Sequence, residues 1–527
     1  MSRSLSCRVR FLALALSLFA TPLHTQTLGT IDFPTSGRAD AQKLFLRGVL
    51  YLHSFEYESA GTAFREAQKL DPSFAMAYWG EALSYTHPVW NEQDRDAALA
   101  TLKRLAATPA ARSAKAPTAR ERGYLEAVEI LYGEGSKPRR DTLYSRAMER
   151  LSHTNPNDHE ARTFYALSLL GLSQGTRDIP TYVRAGAVAD EVFRANENHP
   201  GAAHYVIHAF DDPVHAPLGL RAARAYSKIA PDAAHAQHMT THIFVALGMW
   251  DDVVSQNVIA SGHNHDAWRP NHYTAWLGYG LLQQGRVADA RKHLETVRGN
   301  VATDARATIR AYLMSMRAHY FINSERWDDP ARGWAVDATG VGPAPQAMDA
   351  FALGYAAIKR GDRVEAYRRL GELVERGKRS PENDRYGANA KLPVVLEKEL
   401  RAVLKLSDGS SEEALALLRE AAAIEDAMPV EYGPPYIVKP THELLGEVLL
   451  ALTKPAEAQR EFERALELAP MRALSLLGLG RAAAAAGDVA TAARAYGDLR
   501  EVWHLADATN PAVVEVRRVA TTSRERQ

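Results

Sequence analysis

The chain has 527 residues, with 63 basic and 63 acidic side chains, so its formal net charge is zero. This balance gives no support for a nucleic-acid partner, because nucleic-acid-binding domains usually carry a basic patch or stripe. A hydrophobic fraction of 46% is ordinary for a folded protein. The length would allow three or four domains unless the chain is a stack of repeats.

The first residues predict an export signal. Arg3, Arg8 and Arg10 precede a short apolar stretch at residues 11–20. This stretch is too short to span a bilayer as a stable helix. We therefore predict that residues 1–28 are a signal peptide and that the mature chain is periplasmic or secreted, with no transmembrane segment. The only cysteine, Cys7, lies inside this segment, so the mature chain would have no thiolate for a metal.

A pattern of small and aromatic residues begins at residue 41. Gly48 and Ala60 would let two helices approach closely, Phe64 would fill the gap between them, and Pro72 would end the second helix. Residues 439–472 repeat the pattern, a further copy follows from residue 473 to about 506, and weaker copies begin at residues 271, 347 and 395. Segments rich in Pro, Gly or polar residues are predicted as loops between the repeats: 108–118, 333–345, 379–393 and 428–440.

This pattern of 34 residues resembles the tetratricopeptide repeat (TPR), as found in exported bacterial TPR proteins. The resemblance implies an all-α fold, a right-handed TPR-type α-solenoid of about 11–12 repeats over residues 41–506. A frayed tail at residues 507–527 would follow. The resemblance also implies a concave groove that holds a small molecule, a peptide or a protein partner.

Histidines are concentrated in one part of the chain. Ten of the 19 lie between residues 199 and 272. His204 and His208 are four residues apart, and His238 and His242 repeat this spacing 34 residues later. On a helix such pairs lie on one face, so each pair can clamp a metal ion. Imidazole ligands suit zinc, copper and iron, and we predict a transition-metal site at these four residues.

Further residues accompany the predicted metal site. Asp211 extends the first face and His235 the second, and we predict catalytic roles for both, in proton transfer or in orienting the imidazoles. The resemblance places all of these positions on the groove side of the first helix of each repeat. His53 and His87, also 34 residues apart, form a candidate second site, and the loop with His263 and His265 is a weaker candidate.

The sequence leaves three classes of function open. It has no HExxH motif, no Gly-rich phosphate loop and no G-x-S-x-G elbow, so catalysis would be metal chemistry, either hydrolytic or oxidative. The alternative is a periplasmic scaffold that binds peptides or proteins without catalysis, with its histidines contacting the partner or packing between helices. A metal store or chaperone would have the same site but no turnover.

Overall fold

The structure, a computed structural model, describes residues 26–173, 177–262, 268–301, 306–378, 388–429 and 432–524. Nearly all of the predicted signal peptide, together with His263 and His265, lies outside these ranges. The described residues form 25 α-helices and a single two-stranded sheet. No helix among them is both long and apolar enough to cross a membrane.

The helices follow one another along the whole chain. The first group is α1 (Ala39–His53), α2 (Tyr57–Leu70), α3 (Ala75–Leu83), α4 (Arg95–Leu105), α5 (Pro109–Ser113), α6 (Ala119–Leu131), α7 (Lys137–Thr154), α8 (His159–Leu170) and α9 (Ile179–Ala195). The second group is α10 (Pro200–Ala209), α11 (Ala216–Ile229), α12 (Ala234–Ala246), α13 (Trp250–Gly262), α14 (His272–Gln283), α15 (Val287–Gly299) and α16 (Ala307–Ser324). The third group is α17 (Pro343–Lys359), α18 (Arg363–Lys378), α19 (Ala388–Ser407), α20 (Ser411–Asp426), α21 (Thr441–Ala451), α22 (Pro455–Leu468), α23 (Ala473–Ala486), α24 (Val489–Val502) and α25 (Pro511–Arg524).

Two short strands interrupt the helices. β1 (Thr86–His87) pairs antiparallel with β2 (Glu92–Gln93), and a 3₁₀ turn (Pro88–Trp90) joins them. A second 3₁₀ turn (Pro330–Gly333) precedes α17. Elsewhere neighbouring helices pack in sequence as hairpins, among them α1 with α2, α10 with α11, α12 with α13 and α21 with α22. The predicted all-α solenoid of helical hairpins is therefore confirmed.

The glycines and phenylalanines of the repeats pack as the sequence predicts. Phe64 on α2 lies between α1 and α3, where a Cβ added to Gly48 or Gly80 would come within 2.6 Å or 2.4 Å of its ring. Near the other end of the chain, Phe462 on α22 lies 2.2 Å from the position of a Cβ on Gly478. These distances are far shorter than a carbon–carbon contact, so a glycine is needed wherever a phenylalanine ring separates two helices.

Replacing Gly478 with alanine should therefore destabilise the fold by about 1–3 kcal/mol, because the new methyl group would overlap the ring of Phe462. Gly371, on the exposed face of α18 with no atom within 4 Å of the position of an added Cβ, is the matched control. Gly371→Ala should stabilise by about 0.5–1 kcal/mol, because alanine favours helix. Denaturant unfolding of both variants measures the difference, and equal effects would contradict this account of the hairpin packing.

The inner surface of the solenoid is covered at its centre. The segment before α1 reaches the turn before α10, where the Thr30 amide donates to the Asn198 carbonyl at 2.9 Å. From the other end, the Trp250 indole donates to the Met471 carbonyl at 2.9 Å. Every residue of α10 and α12 is buried as a result. The five histidines on these helices therefore lie in an enclosed interior, whereas the sequence predicted that they line a concave groove.

Three predicted irregular segments contain helix. The loop predicted at residues 108–118 holds α5, because Thr108 accepts a hydrogen bond from the Ala111 amide and a proline occupies the first turn. The loop predicted at residues 379–393 gives way to α19 at residue 388, where Leu392 is fully buried beside Pro393. Within the tail predicted to fray at residues 507–527, Pro511–Arg524 form α25, which is held by the buried Val513 and Val516.

Candidate functional site

Two neighbouring helices bring the predicted metal ligands into the interior. α10 carries His204 and His208, with ring centroids 4.8 Å apart, and α12 carries His235, His238 and His242. The His238 and His242 rings are 5.0 Å apart, as expected for residues one helical turn apart on the same face. All five side chains are buried. The prediction that each four-residue spacing places its pair of rings side by side is confirmed.

The first group of ligands, called here the three-histidine cluster, consists of His204, His208 and His235. One ring nitrogen of each lies within 4.8 Å of one ring nitrogen of the others. The Nε2 atoms of all three rings are buried and have no hydrogen-bond partner. Leaving one such buried atom unpaired costs about 1–3 kcal/mol, so three of them lower the stability of the fold substantially.

The protonation of the three-histidine cluster favours metal binding. Burial lowers the pKa of His204, His208 and His235 well below the usual value, so the rings are neutral at physiological pH. His204 Nδ1 lies 2.6 Å from the backbone carbonyl of His53 and must donate a hydrogen to it. Its Nε2 therefore carries a lone pair, which is the form that ligates a metal ion.

A phenylalanine in an unusual backbone conformation covers the three-histidine cluster. Phe55 follows α1 with a φ of 55°, the left-handed region that side chains other than glycine rarely adopt. Its ring centroid lies 4.3 Å from that of His204 and 5.6 Å from those of His208 and His235. Strained conformations of this kind persist where the surrounding structure holds them, often at functional sites.

The second group, called here the histidine pair, consists of His238 and His242. Their Nε2 atoms are 3.2 Å apart. His238 Nδ1 lies 2.8 Å from Asn257 Oδ1, and His242 Nδ1 lies 2.5 Å from Asp211 Oδ2. Both Nδ1 atoms thus face oxygen acceptors. Asp211, predicted to act beside the metal site, holds the His242 ring by this contact.

The two groups are neighbours but are not one four-histidine site. The ring centroids of His208 and His242 are 5.8 Å apart, and those of His235 and His238 are 6.3 Å apart. The third ring beside His204 and His208 belongs to His235 and not to His238 or His242. His272, at the start of α14, adds a sixth ring 4.5 Å from that of His238.

His53 and His87, the candidate second site, have different surroundings. His53 is fully buried, with its Nε2 2.7 Å from Glu160 Oε2, and His199 Nε2 lies 3.1 Å from the other oxygen of this carboxylate. Burial would raise the pKa of Glu160, but His199 and His53 hold it well below its usual range. His87 is half-buried and stacks on Tyr57 at 4.0 Å, so it does not join His53 in that group.

The histidines are enclosed by aromatic side chains and adjoin a cavity. The rings that contact them belong to Phe55, Trp90, Tyr226, Tyr273, Trp276 and Tyr432. A cavity of about 220 Å³ is lined in part by Asp211, Trp250, Tyr279 and Tyr432. Asp211 and Tyr432 both contact His242, so the cavity ends beside the histidine pair.

Asn257 is the site residue that sequence reasoning missed. It lies on α13, the second helix of its hairpin, and its Nδ2 donates to Val253 O at 3.0 Å and to Thr241 Oγ1 at 3.3 Å. These bonds direct Oδ1 toward His238. A single asparagine in a helix has no spacing signature, so only the packed hairpin reveals its role.

The comparisons with known proteins concern the fold. The family described as "Tetratricopeptide repeat" matches residues 42–74. No curated protein matches the sequence. Among solved structures, a human IFIT1 dimer with PPP-AAAA is 12% identical, with a TM-score of 0.38, over 88% of this chain and 91% of that one. The APC/C hetero-tetramer Cut9-Hcn1 is 12% identical, with a TM-score of 0.33, over 86% of this chain and 78% of that one. The chain thus has an α-solenoid fold of stacked helical hairpins, and its residues 42–74 match the tetratricopeptide repeat.

Proposed function

We propose that the three-histidine cluster binds a transition-metal ion and that the chain is a metal-dependent enzyme, hydrolytic or oxidative. The observation that carries the proposal is a group of three buried histidines, each with an unpaired Nε2 atom and each with one ring nitrogen within 4.8 Å of one ring nitrogen of the others. Native folds pair nearly all buried polar atoms, so three unpaired ring nitrogens on neighbouring histidines call for a common ligand. Zinc, copper and iron all accept imidazole.

The ligand set fits catalysis better than a purely structural role. Three protein ligands on zinc leave a fourth position open for water or substrate, whereas structural sites are closed by four ligands. When bound, such an ion can polarise a substrate, make a water molecule more acidic or exchange electrons. The residues of this chain then orient and shield the site. Phe55 and the other aromatic rings exclude bulk water, and Asp211 fixes the His242 ring beside the cavity.

A small molecule is the substrate that the site supports best. The cavity that ends at Asp211 measures about 220 Å³, below the range of about 300–1,000 Å³ usual for drug-sized ligands. The histidines are buried, so an extended peptide or a folded partner could not contact them directly. The alternative, a peptide-binding scaffold without catalysis, would have to use other surfaces of the solenoid. Export to the periplasm or beyond, expected from residues 1–28, forms part of the proposal.

Metal content tests the proposed function. The untagged chain, purified, supplemented with zinc, copper or iron and then desalted, should retain about one or more equivalents of at least one of these metals by mass spectrometry. His204→Asn should lose the ion at the three-histidine cluster, because asparagine can still donate to the His53 carbonyl but offers no Nε2.

His293→Gln is the matched control for this measurement. His293 is also buried, but its Nε2 donates to the Thr274 carbonyl at 2.8 Å and is not available to a metal. The control should keep the wild-type metal content. A wild-type chain that retains less than about 0.2 equivalents of every metal would refute the metal site and favour the scaffold.

A further inference from the structure

The histidine pair presents two nitrogen lone pairs to each other. Asn257 Nδ2 donates to two oxygens, Val253 O and Thr241 Oγ1, and this fixes the amide so that Oδ1 faces His238. His238 Nδ1 must therefore donate a hydrogen to Asn257 Oδ1. A neutral imidazole carries only one hydrogen, so the Nε2 of neutral His238 has none.

The same reasoning applies to His242. Its Nδ1 faces a carboxylate oxygen of Asp211, which accepts a hydrogen bond. With this hydrogen on Nδ1, the Nε2 of neutral His242 is also a bare acceptor. The two Nε2 atoms lie 3.2 Å apart in a buried setting, where water does not screen their repulsion. A metal ion bound by both atoms, or a proton shared between them, would stabilise this arrangement.

We propose that His238 and His242 bind a second transition-metal ion, so that the site holds two neighbouring ions. The proposal rests on the proposed function, because the three-histidine cluster supplies the first position. Zinc–nitrogen bonds of about 2.0–2.1 Å place two imidazole ligands of a tetrahedral ion about 3.3–3.4 Å apart. The 3.2 Å separation of the Nε2 atoms is close to this value.

The surroundings of the pair match those of metal-binding imidazoles. A ligating histidine usually donates its other ring nitrogen to a carboxylate, carbonyl or similar acceptor, and both members of the pair do so. His272, with its ring 4.5 Å from that of His238, is a further imidazole at the same place. Asp211, which contacts His242, also lines the adjoining cavity, so a substrate there would lie on the side of the histidine pair.

The geometry also defines the rival explanation. A single proton shared by the two Nε2 atoms would relieve their repulsion, leaving one imidazolium beside the Asp211 carboxylate. The two explanations differ in the number of metal ions bound. In a two-ion site both ions can contact the same substrate. With a shared proton, only the ion at the three-histidine cluster would be available.

Zinc stoichiometry of the full chain tests the proposal. The chain is stripped with a chelator, reconstituted with zinc, desalted and measured by mass spectrometry. We expect about two equivalents in the wild type and in His293→Gln, and about one in His238→Asn and in His204→Asn. Asparagine at position 238 can still donate to Asn257 Oδ1, so the variant removes the Nε2 ligand with little change in packing.

A crystal of the wild-type chain with zinc gives a second measurement that needs no variant. Two anomalous peaks, one beside His204 and one beside His242, would support the two-ion site. A single peak beside His204 overturns the second ion but leaves the proposed function in place, whereas a single peak beside His242 overturns the ion at the three-histidine cluster and with it the two-ion site. No zinc, copper or iron at all would overturn both.

Discussion

Replacing Arg472 with methionine should lower the free energy of unfolding by about 3–5 kcal/mol, the usual cost of removing one partner from a buried ion pair. Arg472 is fully buried, and its guanidinium donates to both oxygens of Glu443, at 2.7 Å and 2.9 Å. Burial would raise the pKa of Glu443, but Arg472 and Lys439 hold it below its usual range. Without Arg472 the buried carboxylate loses the partner that contributes most to lowering its pKa, so its charged form is less favoured.

Two further variants separate this effect from loss of packing. In Arg472→Met with Glu443→Leu, the whole pair becomes apolar, so the loss should be smaller than in the single variant. Arg464→Met removes a half-exposed pair with Asp426 and should cost less than about 1 kcal/mol. Denaturant unfolding measures all three. If Arg472→Met costs no more than Arg464→Met, the buried pair does not contribute as described.

The hydrogen bonds of Arg472 and its neighbour also join the start of α23 to α14, which is far from it in sequence. Its guanidinium donates to the Tyr279 hydroxyl on α14 at 3.1 Å, and the next residue, Ala473, donates its amide to Gln283 Oε1 at 2.9 Å. On the same helix, Trp276 packs against His238 and His242. α14 therefore has two roles. Through Tyr279 and Gln283 it contacts Arg472 and Ala473, and through Trp276 it packs against the histidine pair.

Most of the fold could be predicted because its determinants are local. A glycine, a phenylalanine and an alanine at fixed spacing specify one hairpin, and repetition of that hairpin specifies the stack. The segments that differed from prediction depend on other contacts. α25 forms because Val513 and Val516 find a buried surface on the preceding helices, which no local pattern in the charged tail indicates.

The sequence predicts which histidines share a face of one helix, but not which histidines of different helices lie together. A four-residue spacing guarantees that His204 and His208 share a face, but it cannot say which third ring will join them. That depends on how α10 and α12 pack, and the answer is His235. Glu160 and His199, which surround His53, are more than a hundred residues from it in sequence, and they meet it because α1 packs against α10.

His208→Leu should have opposite effects on the metal-free and metal-loaded chains. His208 Nε2 is buried without a partner, so in the metal-free chain a leucine of similar size should raise the free energy of unfolding by about 1 kcal/mol. With free metal at 100 times the dissociation constant, the wild type gains about 2.7 kcal/mol from binding. The variant should gain little of this, because it lacks one of the three ligands. Denaturant unfolding with and without metal measures both effects.

The variant should be more stable than the wild type without metal and less stable than the wild type with metal. This reversal distinguishes a histidine that binds metal from one that only packs. Histidines that only fill space would be hydrogen-bonded, and their replacement would destabilise the chain whether or not metal is present. His293→Gln, which keeps a buried donor to the Thr274 carbonyl, should respond to metal as the wild type does. A His208→Leu variant that is less stable than the wild type without metal, and equally stabilised by metal, would contradict a ligand role for this residue. The unpaired Nε2 atoms would then require a different explanation.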